Sequence, residues 1–340
     1  MSDCLKTCRG LLAMLLALSL FLACVPVSAE EEFLQVLSYE GEGAEDGSFP
    51  ELNENGFLDE GEFIYENPAD GIWRYCSRTL RVEILRKEQE KPKEIWFEAE
   101  VWAAEGENFR MIANDPEKRM KSLEYPYKIA RNQHVVLAVN ADFAHLRISQ
   151  RNRTGILIRD GEIVSTSTWA AGSNHFPNLD TLAMFPDGNM QVFESDELEA
   201  EQYLEMGATD VLAFGPIMIR DGQLNVEGLE KYGTSSAQRT AIGMIEPGHY
   251  MAMMLEGRHS RSRGAGVSFL AERMLERGCQ VAMNLDGGQS STILFMGRQI
   301  CKVVNSSGRD ASARKSAEIL GIGYSDQTAG MNEKMSGGTK

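Results

Sequence analysis

The chain has 340 residues, 34 of them basic and 50 acidic, for a formal charge of −16. The length admits one large domain or two small ones. The charge excludes a general nucleic-acid binder, which needs a positive surface to displace counterions, but leaves room for a small basic pocket.

In chain order, Lys6 and Arg9 precede an uncharged apolar run from Leu11 to Val25, followed by Val27, Ser28 and Ala29. This pattern predicts a cleaved export signal over residues 1–29, and hence an extracellular or cell-envelope protein. The alternative is a retained anchor giving membrane association through the N-terminus, because Leu11 to Ala29 nearly reaches the roughly 20 residues of a span. Val25 and Pro26 after Cys24 argue against a lipoprotein. Cys76, Cys279 and Cys301 lie beyond the signal and allow at most one disulfide in an oxidising compartment. Cys279 and Cys301, each beside a strand-like run, are the best pair; three buried thiols are the alternative.

Residues 30–70 are acidic and rich in Gly, Asn and Glu, and predict a loose spacer. Leu80, Val82 and Ile84, then Ile95, Phe97, Ala99 and Val101, alternate with polar residues on either side of a Lys-Pro turn, which predicts paired strands. Asp115 to Ala130 reads as irregular or partly helical and interrupted by Pro126. "HVVLAVN" predicts a buried strand ending at Asn140. Asp160-Gly161, Asp187-Gly188, Pro247-Gly248 and Asp221-Gly222 each separate two apolar runs and predict hairpins. Asp196–Gly207 reads as a helix. Gly266–Gly278 reads as a stronger one, with Val267, Leu270, Met274 and Leu275 in one stripe and Gly278 at its end. This order predicts an α+β fold, a mostly antiparallel sheet with packed helices, in a single main domain over residues 71–326 followed by a flexible tail at 327–340.

No phosphate-binding glycine loop, dinucleotide fingerprint or Gly-x-Ser-x-Gly elbow occurs. The polar chemistry gathers at the ends of strand-like runs. "NLDGGQSST" lies between two apolar runs; there Asn284 and Asp286 share one side, two glycines allow a sharp turn, and Ser290, Ser291 and Thr292 offer hydroxyls. Its bland reading is a turn in which Asp286 caps its own backbone. Asn140 and Asp142 end another run, Arg239 and Thr240 open a third, and Glu256, Arg258 and His259 follow a fourth. Arg314 precedes the last. Polar groups at strand ends are held in fixed geometry.

Taken together, "AVNADF", "QRTAIGM", "LEGRHSRSRGAGVSFLAERMLERG" and "AMNLDGGQSSTILF" resemble the phosphodiester glycosidase family over roughly Leu80 to Gly323. Ala141 stands where the family commonly has glycine, Glu256 where it has aspartate, and Gln289 where a third glycine follows Asp-Gly-Gly; these departures bear on substrate choice more than on the reaction. The resemblance implies hydrolysis of a sugar-1-phosphodiester, releasing the sugar and leaving a phosphomonoester. An oxocarbenium-like centre calls for a carboxylate, and a phosphate leaving group calls for directed positive charge. Asp286 is the first candidate for the catalytic carboxylate or base, with Glu256 and Asp142 competing for the second. Arg239 and Arg258 are candidates for a phosphate clamp, with Arg314 third. Asn140, Asn284, Thr240, Ser290 and Ser291 are candidates for substrate contacts. His259 is either a general acid or a solvated loop residue. The histidines form no metal spacing and no cofactor is required, but carboxylates and asparagines leave oxygen-ligated Ca2+ or Mg2+ open. The expected partner is a phosphosugar or glycan, such as an envelope or exopolysaccharide glycopolymer, and not nucleic acid. A noncatalytic phosphosugar- or polysaccharide-binding module is the alternative.

Overall fold

The two-residue alternation that runs through much of Leu80 to Ala103 forms a hairpin of two eleven-residue strands, and the remaining described strands follow the same antiparallel logic. In this computed structural model the described residues are 47–115, 117, 122–142, 155–167 and 179–328. The chain divides into Met1–Leu34 and Gln35–Lys340, and every described residue belongs to the second unit. The signal or anchor expected over residues 1–29 and most of the tail therefore lie outside the described residues. No helix among the described residues is long and apolar enough to cross a membrane.

The strands in chain order are β1 (Phe63–Asn67), β2 (Ile72–Cys76), β3 (Leu80–Glu90), β4 (Lys93–Ala103), β5 (Arg110–Ala113), β6 (Val135–Asn140), β7 (Gly155–Arg159), β8 (Glu162–Ser167), β9 (Asp180–Met184), β10 (Met190–Phe193), β11 (Asp210–Phe214), β12 (Ile217–Arg220), β13 (Gln223–Leu224), β14 (Arg239–Glu246), β15 (His249–Leu255), β16 (Val281–Asn284), β17 (Ile293–Phe295), β18 (Arg298–Gln299) and β19 (Glu318–Tyr324). The helices are α1 (Pro126–Asn132), α2 (Ala200–Glu205), α3 (Val226–Lys231) and α4 (Ser268–Glu276).

The strands form a nine-stranded sheet ordered β1-β2-β3-β4-β15-β14-β16-β12-β13 and two five-stranded sheets, β10-β9-β11-β7-β8 and β18-β17-β6-β19-β5. The inward residues of all three meet in one core that includes Val82, Phe97, Val139, Leu182, Met254, Met283 and Leu285. The opposite face of the nine-stranded sheet is covered by α4 through Leu270, Ala271 and Met274. Helix α2 packs on the β7–β11 sheet, and α1 on the β6–β19 sheet.

This arrangement corrects the α+β expectation. The fold is β-rich: the four described helices have only six to nine residues each and lie outside the central core. Local periodicity located α4 correctly. The number and dominance of the strands come from non-local pairing, which local periodicity does not report.

All four expected hairpins form, as β7-β8, β9-β10, β12-β13 and β14-β15. Asp160 and Asp221 take φ of 49° and 53°, and Gly161 and Gly222 follow at 75° and 70°, the double positive φ of a tight two-residue turn. Pro126 opens α1 rather than interrupting a segment, at the first helical position where its missing N–H is harmless.

Two further expectations change. The acidic stretch is not a loose spacer from residue 47 onward: Leu58, Phe63 and Tyr65 bury against Cys76 with Phe49 and Leu52 alongside, and Ile64 reaches the central core. The structured domain thus begins before residue 71, and at its far end Thr328 is still buried. Cys76, Cys279 and Cys301 are free and buried. Cys279 lies under α4 and Cys301 in the central core, on opposite faces of the nine-stranded sheet, so the pair proposed for a disulfide cannot meet.

Candidate active site

The stretch Leu285–Thr292 carries the chain from one sheet to another. β16 belongs to the nine-stranded sheet and β17 pairs with β6 in a different one. Leu285 and Ile293 are buried at the two ends. The polar residues between them bridge the open ends of the two sheets, where backbone groups leave their ladders and need other partners.

Those partners are specific. The Asn140 side chain donates to Asp286 O at 2.7 Å and accepts from Thr292 N at 3.0 Å, so one amide holds both sides of the crossing. Asp286 N donates to Ala141 O at 3.2 Å. Gln238, fully buried, accepts from Gly288 N through its backbone at 2.9 Å and donates from Nε2 to Gly288 O at 2.6 Å. Gln238 was missed in the sequence; its signal was its place directly before Arg239 in "AQRTAIGM".

The two glycines are required by what lies against them. A Cβ at Gly287 would stand 3.2 Å from Gln238 O and 3.3 Å from Arg239 Nη1, and one at Gly288 would stand 3.3 Å from Arg258 Nη1, at a φ of +65°. Both guanidinium groups are thus laid against the Asp-Gly-Gly backbone.

Asn140, Asp142, Asp286, Ser290 and Arg314 line a small cleft with Pro126, Lys315 and Ser316. Its enclosed volume is about 10 Å3, space for roughly one water. Its wall is tied together: Arg314 N donates to Gln289 O at 3.2 Å, and Ser316 and Glu124 exchange two backbone hydrogen bonds of 2.8 and 2.9 Å. Lys315, the immediate neighbour of Arg314, and Ser316 were also missed.

Burial pushes the Asp286 carboxyl up to about 6. A hydrogen bond from Ser290 and the charge of Arg314 pull it down, and Asp142 pushes it up. A carboxyl raised by burial beside a second carboxylate in a cleft makes Asp286 a candidate acid–base group.

The other expected site residues do not line this cleft. Arg239 donates to Gly233 O at 3.0 Å, Ser235 O at 2.6 Å and Ala265 O at 3.3 Å. Burial, and then repulsion from Arg258, bring its pKa down to about 10, against the attraction of Asp286. Its guanidinium ties the backbone of residues 233–235 to Ala265. Arg258 sits over Gly288 from a left-handed backbone of φ 62°. Asn284 donates to Gly215 O at 2.8 Å. Thr240 and Ser291 are fully buried, and their hydroxyl oxygens have no hydrogen-bond partner among the described residues.

Glu256 is placed differently from the cleft carboxylates. Its Oε1 accepts from Lys302 N at 2.6 Å and its Oε2 meets His259 Nε2 at 3.1 Å. Burial raises the Glu256 pKa and lowers that of His259. Both residues fasten the loop that carries Arg258, and neither lines the cleft. Among the described residues no group of three or more His, Cys, Asp or Glu side chains converges as a metal site.

The family model for phosphodiester glycosidase matches residues 133–323, more than half of the chain and every cleft carboxylate and arginine. The chain belongs to the phosphodiester glycosidase family. A Bacillus subtilis relative, the SPbeta prophage-derived uncharacterized protein YomE, is 27% identical over 200 residues, covering 58% of this chain. The match spans only 29% of that relative's length. Among solved structures, the catalytic domain of the zebrafish N-acetylglucosamine-1-phosphodiester alpha-N-acetylglucosaminidase shares the fold with a TM-score of 0.59 and 16% identity, over 73% of this chain and 85% of that domain. A hypothetical protein from Synechocystis follows at 0.46 and 13% identity, over 72% and 62% of the two chains. Family membership rests on the sequence match, and the zebrafish domain supplies a likeness of fold.

Proposed function

We propose that this phosphodiester glycosidase family member hydrolyses a sugar-1-phosphodiester on its glycosidic side, acting on an envelope or extracellular glycopolymer. The observation that carries the reading is Asp286, a carboxyl raised to about 6 at the junction of two sheets, with Asp142 beside it and Arg314 and Lys315 on the same cleft wall.

The chemistry follows from charge. As the C1–O bond breaks, positive charge builds on the sugar and negative charge on the departing phosphate. Asp286 and Asp142 stabilise the first, and Arg314 and Lys315 the second. Water supplies the new oxygen at C1, and its proton passes to a cleft carboxylate. The phosphomonoester leaves as an anion, so its departure depends on cations more than on a strong acid. The placement of the polymer outside the cell rests on the export signal read at residues 1–29.

Asp286→Asn preserves shape and removes the charge. Release of free sugar from an α-linked N-acetylglucosamine-1-phosphodiester should fall by about 10²–10⁴-fold, as for other positioned acid–base groups, with folding intact by circular dichroism. Assays with and without EDTA, Ca2+ and Mg2+ show whether a metal contributes. Unchanged turnover in Asp286→Asn would remove it from the centre of the reaction. Tight binding without turnover by the wild-type protein, across a panel of sugars, would establish the binding module instead.

A further inference from the structure

The wall of the cleft continues outward into a surface that the reaction at Asp286 does not use. Pro126 and Lys315 line the cleft. On either side of Pro126, Tyr125 and Tyr127 stack with ring centroids 5.8 Å apart and planes 17° from parallel. Lys315 Nζ stands 4.8 Å from the Tyr125 ring centre, Lys128 Nζ 5.8 Å from the same ring, and the Arg131 guanidinium 5.5 Å from the Tyr127 ring. Glu124 is paired with Lys128 at 3.8 Å and Lys315 at 3.6 Å. The lysine side chains remain 45% and 47% exposed, so their charge is offered to solvent.

A run of cations leading out of the cleft is notable on a chain with a net charge of −16. Scattered surface charge on such a protein repels polyanions, so a local positive surface matters most for an anionic ligand that must lie there. The surface is also fixed. Glu124 is bonded through its backbone to Ser316, and Tyr127 packs on the cluster of Ile112, Ile129 and Val135. Aromatic rings beside fixed cations suit a ligand with sugar rings and phosphates.

We propose that Tyr125, Tyr127, Lys128 and Arg131, continuous with Lys315, form a subsite for the substrate chain beyond the scissile phosphate, and that this chain carries further phosphates. The proposal rests on the hydrolase reading and specifies its leaving-group side. A phosphate held at Arg314 and Lys315 points its remaining ester toward α1, where Lys128 and Arg131 meet the next anionic unit.

The test compares two probes: the methyl phosphodiester of α-N-acetylglucosamine-1-phosphate, and a short oligomer of N-acetylglucosamine units joined by phosphodiesters. Lys128→Glu/Arg131→Glu, neither of which lines the cleft, should raise KM for the oligomer about tenfold, as expected for loss of two exposed charge contacts. Its kcat, and kcat/KM for the methyl ester, should stay at wild-type values. The wild-type preference for the oligomer should fade as salt is raised and should already be absent in the double variant. Lys128→Gln/Arg131→Gln, with thermal melting of both variants, controls for folding and should show a smaller shift in the same direction. Equal kinetics of wild type and variants on both probes overturns the subsite. If wild type cleaves neither probe, hydrolysis of this linkage is overturned separately, and calorimetric titration of the oligomer then decides the subsite. Weaker binding by the charge-reversed variant supports it, and identical or absent binding overturns it.

Discussion

At the scale of the residue, the buried Asp286 carboxyl carries a cost in stability that depends on pH. Burial raises this carboxyl to about 6 in the folded protein from the ordinary aspartate value of 3.8, so the folded state holds its proton more tightly than the unfolded chain does. The contribution of this group to stability is therefore best below about pH 4, declines as pH rises toward 6, and stays at its lowered level above that. Asp286→Asn removes this penalty. The variant should melt at or above wild type at pH 8, by an amount of order 1–2 kcal/mol once solvent access to the cleft is allowed for, and the gap should close toward pH 4. A variant less stable than wild type at pH 8 would show that the ionised carboxylate supports the fold. If ionised Asp286 serves as base or charge stabiliser, the wild-type kcat/KM should rise through about pH 6 and level off above it. A fall through the same pH would assign it the acid role.

At the scale of the element, the loop from Glu256 to Gly264 behaves as one device. Ser262 Oγ donates to Glu94 Oε2 at 3.1 Å and lies 2.9 Å from Glu256 O, and Gly264 N donates to Glu94 at 2.8 Å. With Glu256 fastened to Lys302 and His259, the loop holds Arg258 against Gly288. Glu256→Gln keeps an acceptor for Lys302 N, and should retain kcat/KM within about tenfold. Glu256→Ala leaves a buried donor unmet and should cost about 1–3 kcal/mol in stability along with a larger loss of activity. A Gln variant as inactive as Asp286→Asn would restore Glu256 to the chemistry. This loop also marks the limit of what the sequence discloses. Asn140 at the end of β6, and Asp142 and Asp286 two residues past β6 and β16, stood out as candidates because each follows a clear apolar run, and the hairpins because Asp-Gly or Pro-Gly supplies a glycine where the turn needs positive φ. The role of Glu256 depends on an N–H 46 residues away, and the entry of β16 and β17 into different sheets depends on partners no local pattern names. The same non-locality hid the β-rich fold class and the contribution of Gln238.

At the scale of the whole molecule, the edge of the nine-stranded sheet sets where the folded unit must begin. β1 pairs with β2 over Phe63 to Asn67, and Leu58, Phe63 and Tyr65 cover Cys76. Ile64 extends into the core shared by all three sheets. Burying each of these large side chains contributes roughly 1.5–3 kcal/mol, so together they rival the whole net stability of a domain, about 5–15 kcal/mol. Removing β1 would also bare the backbone edge of β2, a template for pairing with another chain. A chain starting at residue 47 should therefore melt cooperatively and remain soluble, whereas one starting at residue 71 should be recovered mainly as aggregate or melt far lower, as read by size-exclusion chromatography and differential scanning calorimetry. Equal melting of the two would return residues 47–70 to the role of spacer. The cleft provides a second readout. It lies on residues 126–142 and 286–316, remote in sequence from β1, so any part of the shorter chain that stays folded should retain the KM of the longer one while the active fraction falls.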